Sequence, residues 1–283
     1  MTARMGANRY GKDGIRLVLV RRDADQHALR DLTVDVRLEG DFDAAHTEGD
    51  NAAVLPTDTM RSTVYALAQQ HLTGSIEEFG VALTRRFLGV TPAASAATVT
   101  LREHGWSRAQ VEEGPHPYAF VAGSAECATA EVTTRRGVDP EVVSGLTGLT
   151  VLKTTGSAFS GFLRDELTVL AETEDRILAT EVTARWTFRG GTAPAYDEVR
   201  ATARRAAVET FAGHESQSVQ HTLHAIGAAV LEACPDLADV RLRMPNKHHV
   251  VVDLAPMGID NDRAVFVATD RPYGVIEGTV ERD

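Results

Sequence analysis

The stretch Asp239-Val240-Arg241-Leu242-Arg243-Met244-Pro245-Asn246-Lys247-His248-His249-Val250-Val251-Val252 places a polar break between two apolar runs. Before the break, apolar residues alternate with charged ones, and this period of two predicts a half-buried β-strand. Pro245 cannot donate a hydrogen bond to a neighbouring strand, so pairing should loosen there. The break gathers a side-chain amide, an ammonium group and two imidazoles, which are well placed to face a ligand.

The first half of the chain predicts a strand pair, a helix pair and further strands. Alternating residues at 15–20 and 31–39 predict an antiparallel hairpin with one apolar face. One helix should run from Asp58, its capping residue, to about Gln70. Ser75-Ile76-Glu77-Glu78 has the pattern of a capping box and should start the next helix. Strands should follow at 98–101, at 118–121 and at 128–134. The expected inward residues of the two helices are Met60, Val64, Leu67, Ile76, Phe79, Leu83 and Phe87.

The second half repeats this order. Strands are predicted at 149–152 and 182–188, helices at 196–211 and 219–234, and closing strands around Val240 and Val251. The repeat predicts an α+β fold with two tandem domains, 8–139 and 140–283, in which helices cover one face of an antiparallel sheet. The boundary lies near Asp139-Pro140, inside a segment that mixes glycine, proline and charge.

Composition excludes several classes of function. The 283 residues carry a formal net charge of −11, which opposes nonspecific binding to nucleic acid. No apolar run has the roughly 20 residues of a membrane helix, and the first residues lack the apolar core of a signal peptide. We therefore expect no nucleic-acid or membrane partner. Cys127 and Cys234 form no metal or redox motif and should be buried free thiols.

Five short islands carry a family resemblance. They are Tyr10-Gly11-Lys12, Thr57-Asp58, Gly161-Phe162-Leu163-Arg164-Asp165-Glu166, Asp175-Arg176-Ile177-Leu178 and Pro245-Asn246-Lys247-His248. In this order and at roughly this spacing they resemble the urate oxidase (uricase) family, from about residue 8 to about residue 274. The resemblance implies two tunnelling-fold (T-fold) domains, assembly into barrels, and a homotetramer with active sites at subunit interfaces. Since the chain ends without the Ser-Lys-Leu peroxisomal address, it looks like a bacterial, cytoplasmic member.

The resemblance also implies a substrate site for urate. Arg176 would hold one edge of the purine through its planar fork, and Gln220 would hold the opposite edge, with the backbone N–H of Val219 beside it. Phe159 would stack on the flat face of the ring. Asp58, next to Thr57, belongs to the same substrate-binding set. Taken alone, Arg176 would be read as a surface ion pair with Glu174 or Asp175.

The catalytic residues implied by the resemblance are Lys12, Thr57 and His248. Lys12 would act as the base, and Thr57 and His248 would relay the proton. Asn246 and Thr57 would bracket dioxygen or water above the ring. The implied reaction converts urate, dioxygen and water into 5-hydroxyisourate and hydrogen peroxide without a cofactor, because the deprotonated substrate itself is the electron donor. His249 matches no motif and is expected to be structural.

Three alternatives remain open on the sequence alone. His214, His221 and His224 lie close together, and imidazoles suit zinc or copper, so a metal-dependent enzyme is one alternative. A related tunnelling-fold enzyme that acts on a pterin is another, since a fold does not decide chemistry. The third is a binding protein that keeps the purine site but has lost turnover. Metal analysis, and oxygen uptake set against urate affinity, would discriminate among them.

Overall fold

The computed structural model describes residues 3–190, 195–269 and 271–282. The chain divides into two compact units, Met1–Gly145 and Leu146–Asp283. Among the helices that the structure describes, none combines the length and the apolar character that a membrane crossing demands. The domain boundary near residue 139 stays a prediction.

The first unit is an antiparallel sheet with helices packed on one face. Its strands, neighbours in chain order, are β1 (Arg9–Arg21), β2 (Ala28–Gly40), β3 (Ala94–Val111) and β4 (Gly114–Arg135). Its helices are α1 (Asp43–Thr47), α2 (Thr57–His71) and α3 (Ile76–Val90). The side chains between sheet and helices form one apolar core. All the expected inward helix residues are fully buried except Leu67, which is partly buried against that core.

The second unit repeats this plan. Its strands are β5 (Glu141–Lys153), which begins before the boundary, β6 (Leu178–Phe188), β7 (Leu237–Pro245), β8 (His248–Val251), β9 (Phe266–Thr269) and β10 (Val275–Glu281). Its helices are α4 (Tyr196–Gly213), α5 (Val219–Ala233) and the short 3₁₀ turn Ala255–Met257. In this unit the sheet order is β5-β6-β7-β10, while β8 and β9 pair separately. The core contains the largest fully buried side chain, Trp186.

The predicted α+β architecture is confirmed, and so is the capping box. The Ser75 side chain accepts from the Glu78 backbone N–H, and the Glu78 carboxylate accepts from the Ser75 backbone N–H. The prediction that Asp58 caps α2 is wrong. Pro56 precedes the helix in an extended conformation, and its carbonyl accepts the first helical hydrogen bond, from Met60. Asp58 lies in the first turn, where a carboxylate complements the helix dipole.

The prediction that the strand around Val251 closes the second unit is also wrong. The strand around Val251 does not join the main sheet; it pairs with β9. Instead β10 pairs with β7, from Pro245 opposite Val275 to Asp239 opposite Glu281. Three consecutive valines at 250–252 give no alternation, so the pattern could not say which sheet they join. The alternation at 275–281 was the better signal. The sequence predicts two strands at 118–121 and 128–134. Both ranges belong to the single strand β4.

A close helix–sheet contact recurs in both units. A Cβ on Gly80, in α3, would lie 2.7 Å from a Val132 methyl group. A Cβ on Gly227, in α5, would lie 2.5 Å from a Val280 methyl group. Both separations are shorter than packed carbon atoms allow, so only glycine lets these helices approach their sheets this closely. The equivalent positions support the duplication that the sequence predicts.

Replacing Gly80 by alanine should destabilise the protein by about 1–3 kcal/mol, since the added methyl group overpacks the core. Gly89→Ala, in the same helix with nothing within 4 Å of the added Cβ, is the matched control. It should be neutral or stabilise by up to about 1 kcal/mol, because alanine has less backbone entropy to lose. The measurement is the thermal unfolding midpoint at one protein concentration. Equal effects of the two substitutions would contradict the packing argument.

Candidate active site

Lys12 lies at a β-bulge of the first unit. The pairing of β1 with β2 shifts register between Lys12 and Ile15. Gly11 is required there, because a Cβ would lie 1.8 Å from the Val36 carbonyl oxygen. Gly14 has a φ of 66° and donates its N–H to Asp35 at 2.6 Å. Bulges of this kind re-aim a side chain and are common beside active sites.

The ammonium group of Lys12 is unusual among the three lysines of the sequence. Lys153 donates to the His214 carbonyl oxygen, and Lys247 forms an ion pair with Glu181. Within residues 3–190, 195–269 and 271–282, Lys12 makes neither a hydrogen bond nor an ion pair. It is half-buried. Its charge is therefore available to a ligand or to another chain.

Thr57 and Asp58 open helix α2, which packs against β1. Thr57 is half-buried, and its hydroxyl group has no hydrogen-bond partner in the part of the chain that the structure describes. Asp58 is exposed and forms an ion pair with Arg61 at 2.5 Å. The hydroxyl group of Thr57 is thus free to accept or donate a proton, whereas the carboxylate of Asp58 is already engaged.

Phe159 and Arg176 come together in the second unit. The backbone of Phe159 pairs with Thr173 through hydrogen bonds of 2.8 and 3.1 Å. Asp175 accepts from the Thr155 hydroxyl at 2.8 Å and from the Ser157 N–H at 3.3 Å. The hydrogen bond from Thr155 is the main reason that the pKa of Asp175 lies below its usual value. These contacts fix the loop that carries Phe159 to the segment that carries Arg176.

Arg176 packs on an aromatic ring and forms no ion pair with a described carboxylate. Its guanidinium carbon lies 5.2 Å from the centre of the Phe159 ring. Its Nε is buried and has no partner among the described residues. No described carboxylate pairs with it; the side chain of Asp175 instead bonds Thr155 and Ser157. Burial lowers the pKa of the guanidinium from its ordinary value. Arg176 as a whole is half-buried, but an N–H group that is shielded from water without a partner is costly, which favours a ligand that accepts a hydrogen bond there.

The start of helix α5 is tied to the same loop. Ala158 donates to the Ser216 carbonyl at 2.8 Å, and Ser216 donates to the Gly156 carbonyl at 3.0 Å. Ser218 caps the helix by accepting from the His221 N–H. Val219 and Gln220 follow in the first turn, where backbone N–H groups have no partner inside a helix. The Gln220 side chain is exposed and makes no hydrogen bond within the described chain.

Asn246 and His248 lie at the break after β7, which ends at Pro245 as the sequence predicts. Asn246 forms an isolated bridge with Thr180, and its N–H donates to the Gly274 carbonyl at 2.8 Å. The side-chain amide of Asn246 lies 3.5 Å from His248 Nδ1. Thr180 belongs to β6, which begins two residues after Arg176. The bridge between Thr180 and Asn246 therefore holds Asn246 beside the strand that follows Arg176.

The structure thus distributes the sequence-predicted residues between the two units. Lys12, Thr57 and Asp58 belong to the first unit. The second unit contains Phe159, Arg176, Val219, Gln220, Asn246 and His248, of which Phe159 contacts Arg176 and Asn246 contacts His248. Sequence reasoning missed the residues that hold these groups in place: Tyr10, Asp175 and Ser216. It also missed Ser218, although a serine before an apolar helical pattern is a recognisable capping signal.

The histidine cluster has an ordinary structural setting. The rings of His214 and His221 are 4.3 Å apart in an edge-to-face arrangement. Burial, together with the charges of His221 and Lys153, lowers the pKa of His214. Among the described residues, no three His, Cys, Asp or Glu side chains gather as a metal site would require. Cys234 is buried, but Cys127 is half-exposed, contrary to expectation.

Comparison with known proteins gives a consistent result. A sequence model of the family described as Uricase matches residues 8–133 and 142–277. The chain is 42% identical over 279 residues to the uricase of Arthrobacter globiformis, covering 99% of this chain and 90% of the relative. It is 37% identical over 292 residues to the uricase of Emericella nidulans, with coverages of 98% and 97%. The crystal structure of the A. globiformis uricase superposes with a TM-score of 0.93 at 41% identity, covering 100% of this chain and 96% of that chain.

Replacing Asp175 by asparagine should loosen the loop that carries Phe159, because a neutral amide accepts more weakly than a carboxylate. We expect roughly tenfold faster hydrogen exchange at the Ser157 amide, the effect of losing about 1.4 kcal/mol of hydrogen bonding. Since the pKa of Asp175 is lowered, its carboxylate is fully ionised above the ordinary carboxyl pKa of about 3.9. The contribution disappears only as the pH falls through the lower folded-state value, so the difference should persist from about pH 5 to 8.

Asp165→Asn is the matched control. Asp165 accepts from the Thr168 hydroxyl at 2.7 Å and from the Leu167 N–H at 3.1 Å, but it does not bond Ser157. Its substitution should leave exchange at Ser157 unchanged. If both variants accelerated hydrogen exchange at the Ser157 amide equally, Asp175 would not be the residue that holds this loop.

Proposed function

The chain belongs to the uricase family and is a urate oxidase, and we propose that its second unit binds the purine while its first unit supplies the base. The observation that carries this assignment is a set of polar side chains that have no hydrogen-bond or ion-pair partner among the described residues. Arg176 has a buried Nε without a partner in the described chain. Lys12, Thr57 and Gln220 have polar groups that no described residue engages. The Nε of Arg176 is shielded from water and needs a ligand as its partner, whereas the other three groups reach solvent and can exchange water for a ligand.

Urate is bound by groups that match a planar anion. The guanidinium of Arg176 donates two parallel hydrogen bonds to one edge and offsets the negative charge. Gln220 both donates and accepts at the opposite edge, beside the backbone N–H of Val219. Those residues begin α5, and the positive end of a helix dipole favours an anion. Phe159 stacks on the ring. The family's assignment of Asp58 to this set gains less support, because its carboxylate already pairs with Arg61.

Catalysis begins with removal of a proton from bound urate. Lys12 accepts this proton when it is in the neutral form, and Thr57 and His248 relay it. The resulting dianion is a strong reductant, so it transfers electrons to dioxygen without a metal or an organic cofactor. Recombination gives a hydroperoxide at C5, and water then displaces hydrogen peroxide to leave 5-hydroxyisourate. Asn246 and Thr57 hold the oxygen species, and then water, above the ring.

A complete site requires two chains. In the family arrangement, Lys12 and Thr57 of one subunit face the purine-binding residues of its neighbour, in barrels that stack as a homotetramer. The free ammonium group of Lys12 is consistent with this arrangement. A subunit alone then has no complete site. Each barrel also covers sheet edges that a single chain leaves open.

The direct test of this function is oxygen consumption with urate by chelator-treated protein. Oxygen loss, urate loss and peroxide formation should be equimolar, since each turnover consumes one urate and one dioxygen. Metal content is measured on the same sample. Activity that returned only on addition of zinc, iron or copper would overturn the cofactor-free mechanism, and urate binding without oxygen uptake would leave a binding protein.

Replacing Arg176 by lysine should raise the KM for urate by roughly 10- to 100-fold, because a point charge cannot reproduce the two hydrogen bonds of the fork. The matched control is Arg135→Lys, since Arg135 pairs with Glu141 at 2.9 Å on the surface. The control should keep the wild-type KM. Steady-state kinetics at saturating dioxygen measure both. An unchanged KM in Arg176→Lys would exclude Arg176 from urate binding.

Mixed tetramers test the two-chain site. Lys12→Met and Arg176→Gln should each be nearly inactive as pure proteins, but a refolded equimolar mixture should recover about a quarter of wild-type activity. That fraction follows from random assembly, because a site needs an intact Lys12 from one chain and an intact Arg176 from the other. Activity is measured before and after refolding together, with separately refolded samples as the control. No recovery in verified mixed tetramers would show that both residues act within one chain.

A further inference from the structure

We infer that Tyr10 is a positioning residue that fixes the start of helix α2, and so Thr57, relative to Lys12 on strand β1. The inference rests on the proposed function, because it concerns the relay between those two groups. Neither Lys12 nor Thr57 makes a side-chain hydrogen bond with the described chain. The distance between these two side chains therefore depends on contacts made by neighbouring residues.

The contact is a two-way hydrogen bond between the Tyr10 phenol and one residue. The phenol oxygen accepts from the Leu55 N–H at 2.8 Å and donates to the Leu55 carbonyl oxygen at 3.1 Å. Leu55 lies two residues before Thr57, and the residue between them is Pro56, whose φ is fixed by its ring. Tyr10 lies two residues before Lys12 on the same strand. One phenol therefore links the two chain segments, two residues before each of the proposed reacting groups.

The ring itself is fixed. It packs edge-to-face on Phe42, with centroids 4.8 Å apart, and Phe42 is almost completely buried. Burial raises the pKa of Tyr10 above its ordinary value, although the hydrogen bond with Leu55 opposes this shift. The phenol therefore stays protonated throughout the neutral range and keeps its donor for the Leu55 carbonyl.

The neighbouring backbone shows why such a tie is needed. The bulge after Lys12 leaves Asp13 and Gly14 outside the regular ladder, and α2 starts without a side-chain cap. The far end of α2 is tied to β1 by the hydrogen bond from the Arg21 guanidinium to the Gln69 carbonyl oxygen at 2.7 Å, and the Tyr10 contact is the corresponding tie next to its start. Proton transfer tolerates little misplacement, and a shift of about 1 Å can cost a factor of 100 in rate.

The experiment combines Tyr10→Phe, which removes only the hydroxyl group, with Thr57→Ala, singly and together. We expect Tyr10→Phe to lower kcat by roughly 10- to 100-fold, with urate affinity unchanged when measured without oxygen. The solvent deuterium effect on kcat should increase, because proton transfer becomes slower than the later steps. In the Thr57→Ala background, Tyr10→Phe should cost little more, since its partner in the relay is already gone.

Val64→Ala controls for a merely structural effect. Val64 is fully buried in α2, so its truncation lowers the melting temperature without touching the Tyr10 contact, and kcat should stay near wild type. An equal fall in kcat for Val64→Ala and Tyr10→Phe at matched stability would overturn the inference. So would a full additional loss in the double variant. If Thr57→Ala impairs turnover while Tyr10→Phe does not, the inference fails but the proposed relay stands; full activity of Thr57→Ala would overturn the relay itself.

Discussion

Each unit of this protein can cover only one face of its sheet, and the rest of the structure depends on that constraint. Two helices bury the apolar face, and glycines at 80 and 227 let them approach it closely. The opposite face carries polar cross-strand pairs, such as Thr98 with Thr133 and Thr147 with Thr183. A polar sheet face and open sheet edges are stable in water, but they can also pair with another chain. Because the helices cover the core, the predicted functional residues lie at strand ends, at helix starts and in irregular segments.

The regular elements were predictable from the sequence because burial imposes a period. Met60, Val64 and Phe79 all lie where a helical stripe places them. The predictions failed where periodicity carried little information. Three adjacent valines at 250–252 fit either the main sheet or the separate β8–β9 pair. Residues 275–281 occupy the edge of β7, so the valine strand pairs with β9 instead. Pro56 displaced Asp58 as the residue before α2, since its fixed φ and missing N–H suit that position.

Residue type and family resemblance predict a set of functional residues, but they do not predict the contacts that hold those residues in place. Asp175 holds the Ser157 N–H with its carboxylate, while Ser216 and Thr173 act through backbone hydrogen bonds between segments that are far apart in the sequence. Such bonds leave no periodic trace, because any residue can supply an N–H or a carbonyl. Tyr10 is similar: its motif drew attention to Lys12, whereas the phenol contact with Leu55 depends on the fold. Positions that orient a site are therefore harder to read than the site itself.

The scarcity of lysine has a practical consequence for chemical modification. The sequence has three lysines, and two of them are occupied, Lys153 by a carbonyl oxygen and Lys247 by a carboxylate. Amine-reactive polymers or labels therefore have few lysine targets, and one of them is Lys12, the proposed base. Conjugation through lysine would then inactivate this protein in proportion to its extent. Arginine and carboxylate side chains are far more numerous, so coupling through surface carboxylates is the safer route for immobilisation.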